Sequence, residues 1–105
     1  MKQFIFLIAI YISNAFATVE SGNSFLKGLQ SGNAIERQNM LGYAAGMYDA
    51  YERIDPSIAK CLGSEVLMSQ LVDALQIYLK NNPQVRHYPM FDIYPVAIKQ
   101  TFKCK

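Results

Sequence analysis

Two cysteines, Cys61 and Cys104, constrain this chain most, and the compartment in which it folds decides whether they are joined. The N-terminus bears on that question. Met1-Lys2-Gln3 is followed by an apolar run, Phe4 to Ile12 (FIFLIAIYI), and then by Ser13-Asn14-Ala15-Phe16-Ala17. A charged start, a short apolar stretch and an Ala-x-Ala step make up a secretory signal peptide, with cleavage expected after Ala17. Nine helical residues span roughly 14 Å against about 30 Å of hydrocarbon, so stable membrane insertion is not expected. A lipid anchor would need a cysteine just after the cleavage point, and residue 18 is Thr. The expected organisation is a signal peptide over residues 1–17 and one domain over 18–105. In an oxidising compartment an even cysteine pair in so small a domain reads as a disulfide. A Cys61–Cys104 bridge closes a loop of a little over forty residues. In the chain-entropy picture that raises the unfolded state by about 4 kcal/mol.

Composition removes several function classes. The net charge is +2, charged residues make up 17%, and the ten Lys and Arg are scattered. A nucleic-acid surface needs them clustered, so no nucleic-acid partner is expected. A hydrophobic content of 51% is too high for a disordered chain. One His, two Cys and no Trp leave little from which to build a metal site or a nucleophile–base pair. Cys-x-x-Cys, zinc spacings, a Ser-His-Asp order and glycine-rich phosphate loops are all absent. No catalytic residue, metal or cofactor is expected.

The expected fold is all-α, a small four-helix bundle pinned by the disulfide. A short helix runs from Phe25 to Gln30, capped by Ser24 or Asn23 and broken by Ser31-Gly32-Asn33. Asn33, three residues before Glu36, resembles a capping box for a second helix from Ala34 to Arg53. Met40, Ala44, Met47, Tyr51 and Ile54 mark one face of it. Asp55-Pro56 ends it, and Ser57 to Gly63 reads as a connector. Ser64 is the expected cap of a third helix, with Glu65 in its first turn and an apolar stripe through Leu67, Leu71, Ala74, Leu75, Tyr78 and Leu79. Asn81-Asn82-Pro83 stops it. A last helix covers Met90 to Phe102, either starting late at Pro95 or kinking there.

Within the second helix, Gly42 and Gly46 each cost about 1 kcal/mol relative to Ala. Close approach of another helix onto Gly42, Ala45 and Gly46 would offset that. Packing inside the chain is the preferred expectation, and a dimer face is the alternative. Tyr48 lies off the apolar stripe beside Asp49 and Glu52, which suits an interface, since tyrosine buries a large ring and keeps a polar tip. Asp49, Glu52 and Asp55, with Arg53 among them, read as a solvated or partner-facing charge patch. Arg86 and His87 lie in the Asn81–Pro89 loop. His87 has no ligand-spaced neighbour.

Phe25-Leu26, then Arg37 with Leu41-Gly42-Tyr43-x-x-Gly46, then Cys61, Tyr78-Leu79-x-x-x-Pro83 and Phe102-x-Cys104 occur in this order over residues 24–104. In that order and spacing they resemble the Rap/Tai-type immunity proteins, which guard bacteria against type VI secreted peptidoglycan amidases. The resemblance implies a small helical periplasmic protein, often dimeric, that blocks an amidase and catalyses nothing. Family members often carry a second cysteine pair, whose places fall here on Leu29 and Met40. The family often ends Phe-Pro-Cys, where this chain has Lys103 before Cys104. A cleft-blocking inhibitor needs a protruding element, and the Arg53–Gly63 connector and the Asn81–Pro89 loop are the longest candidates. The competing readings are a small periplasmic stress chaperone, from size, helicity and one disulfide, and an envelope scaffold subunit assembling through the Gly42–Gly46 face.

Overall fold

Side chains just outside the helices set most of the helix starts, because the first turn leaves backbone N–H groups without partners. The computed structural model describes residues 20–63 and 65–104. Helix α1 spans Gly22–Gln30. It begins a turn earlier than the pattern predicts, because Ser21 and Ser24 cap reciprocally. Ser24 N–H donates to Ser21 Oγ at 3.1 Å, and Ser21 N–H donates to Ser24 Oγ at 2.9 Å. Helix α2 spans Ala34–Ile54. Asn33 Oδ1 accepts from Ile35 N–H at 2.9 Å and Glu36 N–H at 3.2 Å, as expected of an N-cap. Asn33 N–H is satisfied by Ser31 Oγ rather than by Glu36.

The expected connector after α2 is itself helical. Helix α3 spans Pro56–Leu62, so the described residues hold five α-helices and not four. Pro56 takes the first helical position, where a missing N–H is harmless, and Asp55 Oδ1 accepts from Ser57 N–H at 3.2 Å. Gly63, at φ +74°, ends α3 in a conformation that glycine enters without a Cβ penalty. Helix α4 spans Met68–Asn81 and starts later than predicted. Gln70 Oε1 accepts from Leu67 N–H at 2.8 Å, which fixes the start, and Glu65 lies before it. The expected cap Ser64 lies outside the described residues, as do the signal segment 1–17 and its cleavage point after Ala17.

A short 3₁₀ turn, Pro83–Val85, leads to helix α5, Met90–Thr101. Helix α5 does not start late: Pro95 lies inside it, and the helix runs through. Proline cannot donate to the carbonyl four residues back, which is Phe91. The Tyr51 hydroxyl donates to Phe91 O at 2.9 Å instead. Its ring stacks on Phe91 and Tyr94, with centroids 4.8 Å and 5.3 Å away. One polar tip and one aromatic face thus repair the helix and pack it in a single contact.

The core is continuous across all five helices. Phe25 and Leu29 from α1, Ala44 and Met47 from α2, Ile58 from α3, Leu71, Leu75 and Leu79 from α4, and Met90, Tyr94 and Ile98 from α5 are essentially inaccessible. Leu67 and Ile54, placed on apolar stripes by sequence, are each 64% exposed. Both stand at a helix boundary, where the helical period no longer fixes direction. The Cys61–Cys104 disulfide ties α3 to the end of the chain, with 5.2 Å between the Cα atoms. At the opposite edge the segment 20–23 pairs with 86–90. Gly22 N–H donates to Tyr88 O at 3.0 Å, Asn23 N–H to Arg86 O at 2.8 Å, and Met90 N–H to Glu20 O at 2.7 Å. Gly22 is required there: a Cβ would lie 3.1 Å from the Arg86 Cα and under 3 Å from Ile93 and Leu79.

Candidate partner interface

The C-terminal half of α2 holds most of the residues that the sequence marks for a partner. Asp49, Glu52 and Arg53 are exposed there. Tyr48 is half-buried and packs against the core. It is therefore less detached from the apolar face than its position suggests. The nearby Glu52 carboxylate favours its protonated hydroxyl, and burial and the Asp49 charge act the same way, so its pKa is raised. Asp55 differs from its neighbours, because its carboxylate caps α3 by accepting from the Ser57 N–H and hydroxyl. Its role at this edge is to turn the chain.

Beside Tyr48 the surface opens into an apolar trough of about 180 Å³, lined also by Leu62, Val66, Leu67, Met68 and Leu71. Leu67 and Met68 are the residues that sequence reasoning missed here, having placed Leu67 in the core stripe. Their signal was available: an apolar pair just before a helix start cannot share the inward face of the turns that follow. Tyr48 therefore joins this apolar trough to the exposed carboxylates of Asp49 and Glu52, its neighbours on α2.

Arg86 and His87 lie elsewhere, on the segment between α4 and α5. Arg86 is half-buried and its backbone carbonyl holds α1. His87 is exposed and lies against Tyr88 with the rings tilted by 36° and their centroids 4.1 Å apart. Neither expected protruding loop projects freely. Residues 53–63 are mostly helix α3, and residues 86–90 are stapled to α1 by main-chain hydrogen bonds. Both present preformed surfaces, which lowers the ordering cost of binding.

The glycine face also departs from expectation. Apart from the adjoining backbone of α2 itself, no described residue comes within 4 Å of a Cβ placed at Gly42 or at Gly46, and both positions are exposed. Internal helix packing therefore does not account for them; Ala45 between them is half-buried. The close glycine contact of the α1–α2 hairpin is at Gly28, where a Cβ would lie 2.5 Å from Met40 Cγ. Met40 thus faces Gly28, while Leu29, the residue paired with it by sequence, is buried in the core. Arg37 closes the same hairpin, its guanidinium donating to Leu29 O at 3.2 Å.

Among the described residues no group of three or more His, Cys, Asp or Glu is placed to hold a metal ion, and no helix is long and apolar enough to cross a membrane. A family model, that of the Rap1a immunity proteins, matches residues 21–104. No curated protein and no solved structure matches the chain.

Proposed function

The chain belongs to the Rap1a immunity protein family, and from that premise we propose that it is a periplasmic inhibitor that binds a type VI secreted peptidoglycan amidase and covers its active-site cleft. The observation that carries the reading is the reach of the family match, residues 21–104, which takes in every described helix. The disulfide supports the compartment, since such bonds persist where thiols are oxidised. The surface around Tyr48, Asp49, Glu52 and Arg53 supports a binding role: an aromatic anchor at an apolar trough beside exposed charged residues is the composition of a protein interface. Arg86 and His87 form a second contact edge in this reading. The open Gly42–Ala45–Gly46 face is where a second copy would pack in a homodimer.

The test is a rescue experiment. An amidase encoded beside this gene is sent to the periplasm of a test strain, and the protein is co-expressed with or without residues 1–17. The expected outcome is survival only with the signal segment, with the two proteins co-purifying. Lysis despite abundant periplasmic protein, and no complex at micromolar concentrations of both, would overturn the reading. Tyr48→Ala and Glu52→Lys should each weaken the complex at least tenfold while leaving the fold intact.

A further inference from the structure

A second trough, of about 240 Å³, opens between the segment after α4 and the first turns of α5. Its lining is Tyr78, Val85, Tyr88, Asp92, Ile93 and Val96. Five of the six are apolar or aromatic, and Asp92 is the one charged residue. The floor is fixed, because Ile93 is buried and Tyr78 nearly so. The wall is fixed too, because the main-chain bonds from 86–90 to α1 hold Tyr88 in place. Val96 and Tyr88 are about half exposed at the rim, 46% and 51%. Large apolar groups left open around a preformed hollow mark a binding surface.

The size and chemistry of the trough select its occupant. The volume suits one long side chain and is too small for a helix or a strand. An apolar side chain would fill it but leave the exposed Asp92 carboxylate at its edge without a counter-charge. An acidic side chain would be repelled. A basic side chain satisfies every part of the lining: its methylenes lie on the apolar walls, its cation reaches the carboxylate, and the tyrosine faces attract it. We propose that this trough receives a single arginine or lysine side chain of the partner protein, with the head group on Asp92 and the stem against Val85, Ile93 and Val96. Arginine fits better than lysine, since its planar guanidinium both pairs with a carboxylate and stacks on a ring. The inference rests on the immunity reading only in taking the partner to be a protein.

The test uses the purified protein labelled with ¹⁵N and short peptides of the form acetyl-Gly-Gly-Xaa-Gly-Gly-amide, with Xaa Arg, Lys, Leu or Glu. Saturable amide shifts centred on Val85, Tyr88 and Ile93 are expected for Arg and Lys, with millimolar dissociation constants for one side chain. The Leu peptide should bind about tenfold more weakly than the Arg peptide, and the Glu peptide should not bind. Asp92→Asn should weaken the Arg peptide about tenfold and leave the Leu peptide unchanged. Val96→Arg supplies a second check on a well-folded protein. It places a guanidinium one helical turn from Asp92, forms an i, i+4 pair, and should block the Arg peptide from within. Equal binding of Leu and Arg, an Asp92→Asn variant as tight as the parent, or shifts centred elsewhere would overturn the proposal. If the peptides fail while rescue succeeds, only the trough assignment falls. If the peptides bind while rescue fails, the trough stands and the immunity reading falls.

Discussion

Tyr51 shows how one side chain can decide a helix. Its hydroxyl serves the Phe91 carbonyl that Pro95 cannot reach, and its ring fills the space between Phe91 and Tyr94. Tyr51→Phe should therefore cost about 1–3 kcal/mol, the penalty of leaving a partly buried acceptor unsatisfied. In a Pro95→Ala background the new N–H can take over, and the same change should cost markedly less. A urea-unfolding double-mutant cycle reads this directly; equal costs in both backgrounds would sink the repair model. Tyr94 sits deeper, and burial, aided by the hydroxyls of Tyr48 and Tyr51 and by Glu52, holds its pKa far above the ordinary value near 10. Burial raises Tyr43 and Tyr51 in the same sense, with Asp92 contributing to both. The folded state thus keeps protons that the unfolded chain releases. Their stabilising effect is complete below about pH 10 and is lost as pH rises beyond it. Stability measured from pH 9 to 11 should fall with pH, and Tyr94→Phe should flatten that slope.

At the scale of elements, the open glycine face of α2 is the sharpest departure from the helix pattern. Gly42 and Gly46 carry the entropy penalty of glycine in a helix and, within the described chain, gain no close contact for it. Replacing both with Ala should raise the melting temperature of the isolated protein, by about 0.5–1 kcal/mol of stability per site. If a second chain packs on this face, Gly46→Leu should abolish self-association in sedimentation while the monomer stays folded. Assembly unchanged by Gly46→Leu would remove the dimer face. Helix α3 makes the complementary point. Its seven residues are too few to be stable alone. It persists because Asp55 and Pro56 start it, Ile58 and Leu62 are buried, and Cys61 is bonded to the C-terminus.

At the scale of the molecule, the Cys61–Cys104 disulfide is the only covalent closure between distant segments among the described residues. It joins positions 43 residues apart, so its loss should lower stability by about 4 kcal/mol, a large part of what a domain of this size has. Paired Cys61→Ser and Cys104→Ser changes, or reduction by dithiothreitol, should show that loss in urea titrations. A change under 1 kcal/mol would mean that core packing alone positions α3. The core supports a rigid body with two preformed troughs, one beside Tyr48 and one beside Asp92, and rigidity of this kind lets a small protein hold a partner with little ordering cost.

The all-helical class, the Asn33 cap, the break at Asp55-Pro56, the cysteine pair and the order of motifs over residues 24–104 were all legible in the sequence. Each depends on neighbours in the chain, on periodicity, or on the count of a rare residue. What the sequence could not carry were facts about distance between remote segments. Tyr51 and Phe91 stand forty positions apart, and nothing local marks one as the partner of the other. The openness of Gly42 and Gly46, the pairing of Gly28 with Met40, the outward turn of Leu67 and the convergence of Tyr78, Tyr88 and Asp92 belong to the same kind. A helical period tells which residues share a face, but the tertiary packing alone decides which faces meet another helix and which meet water.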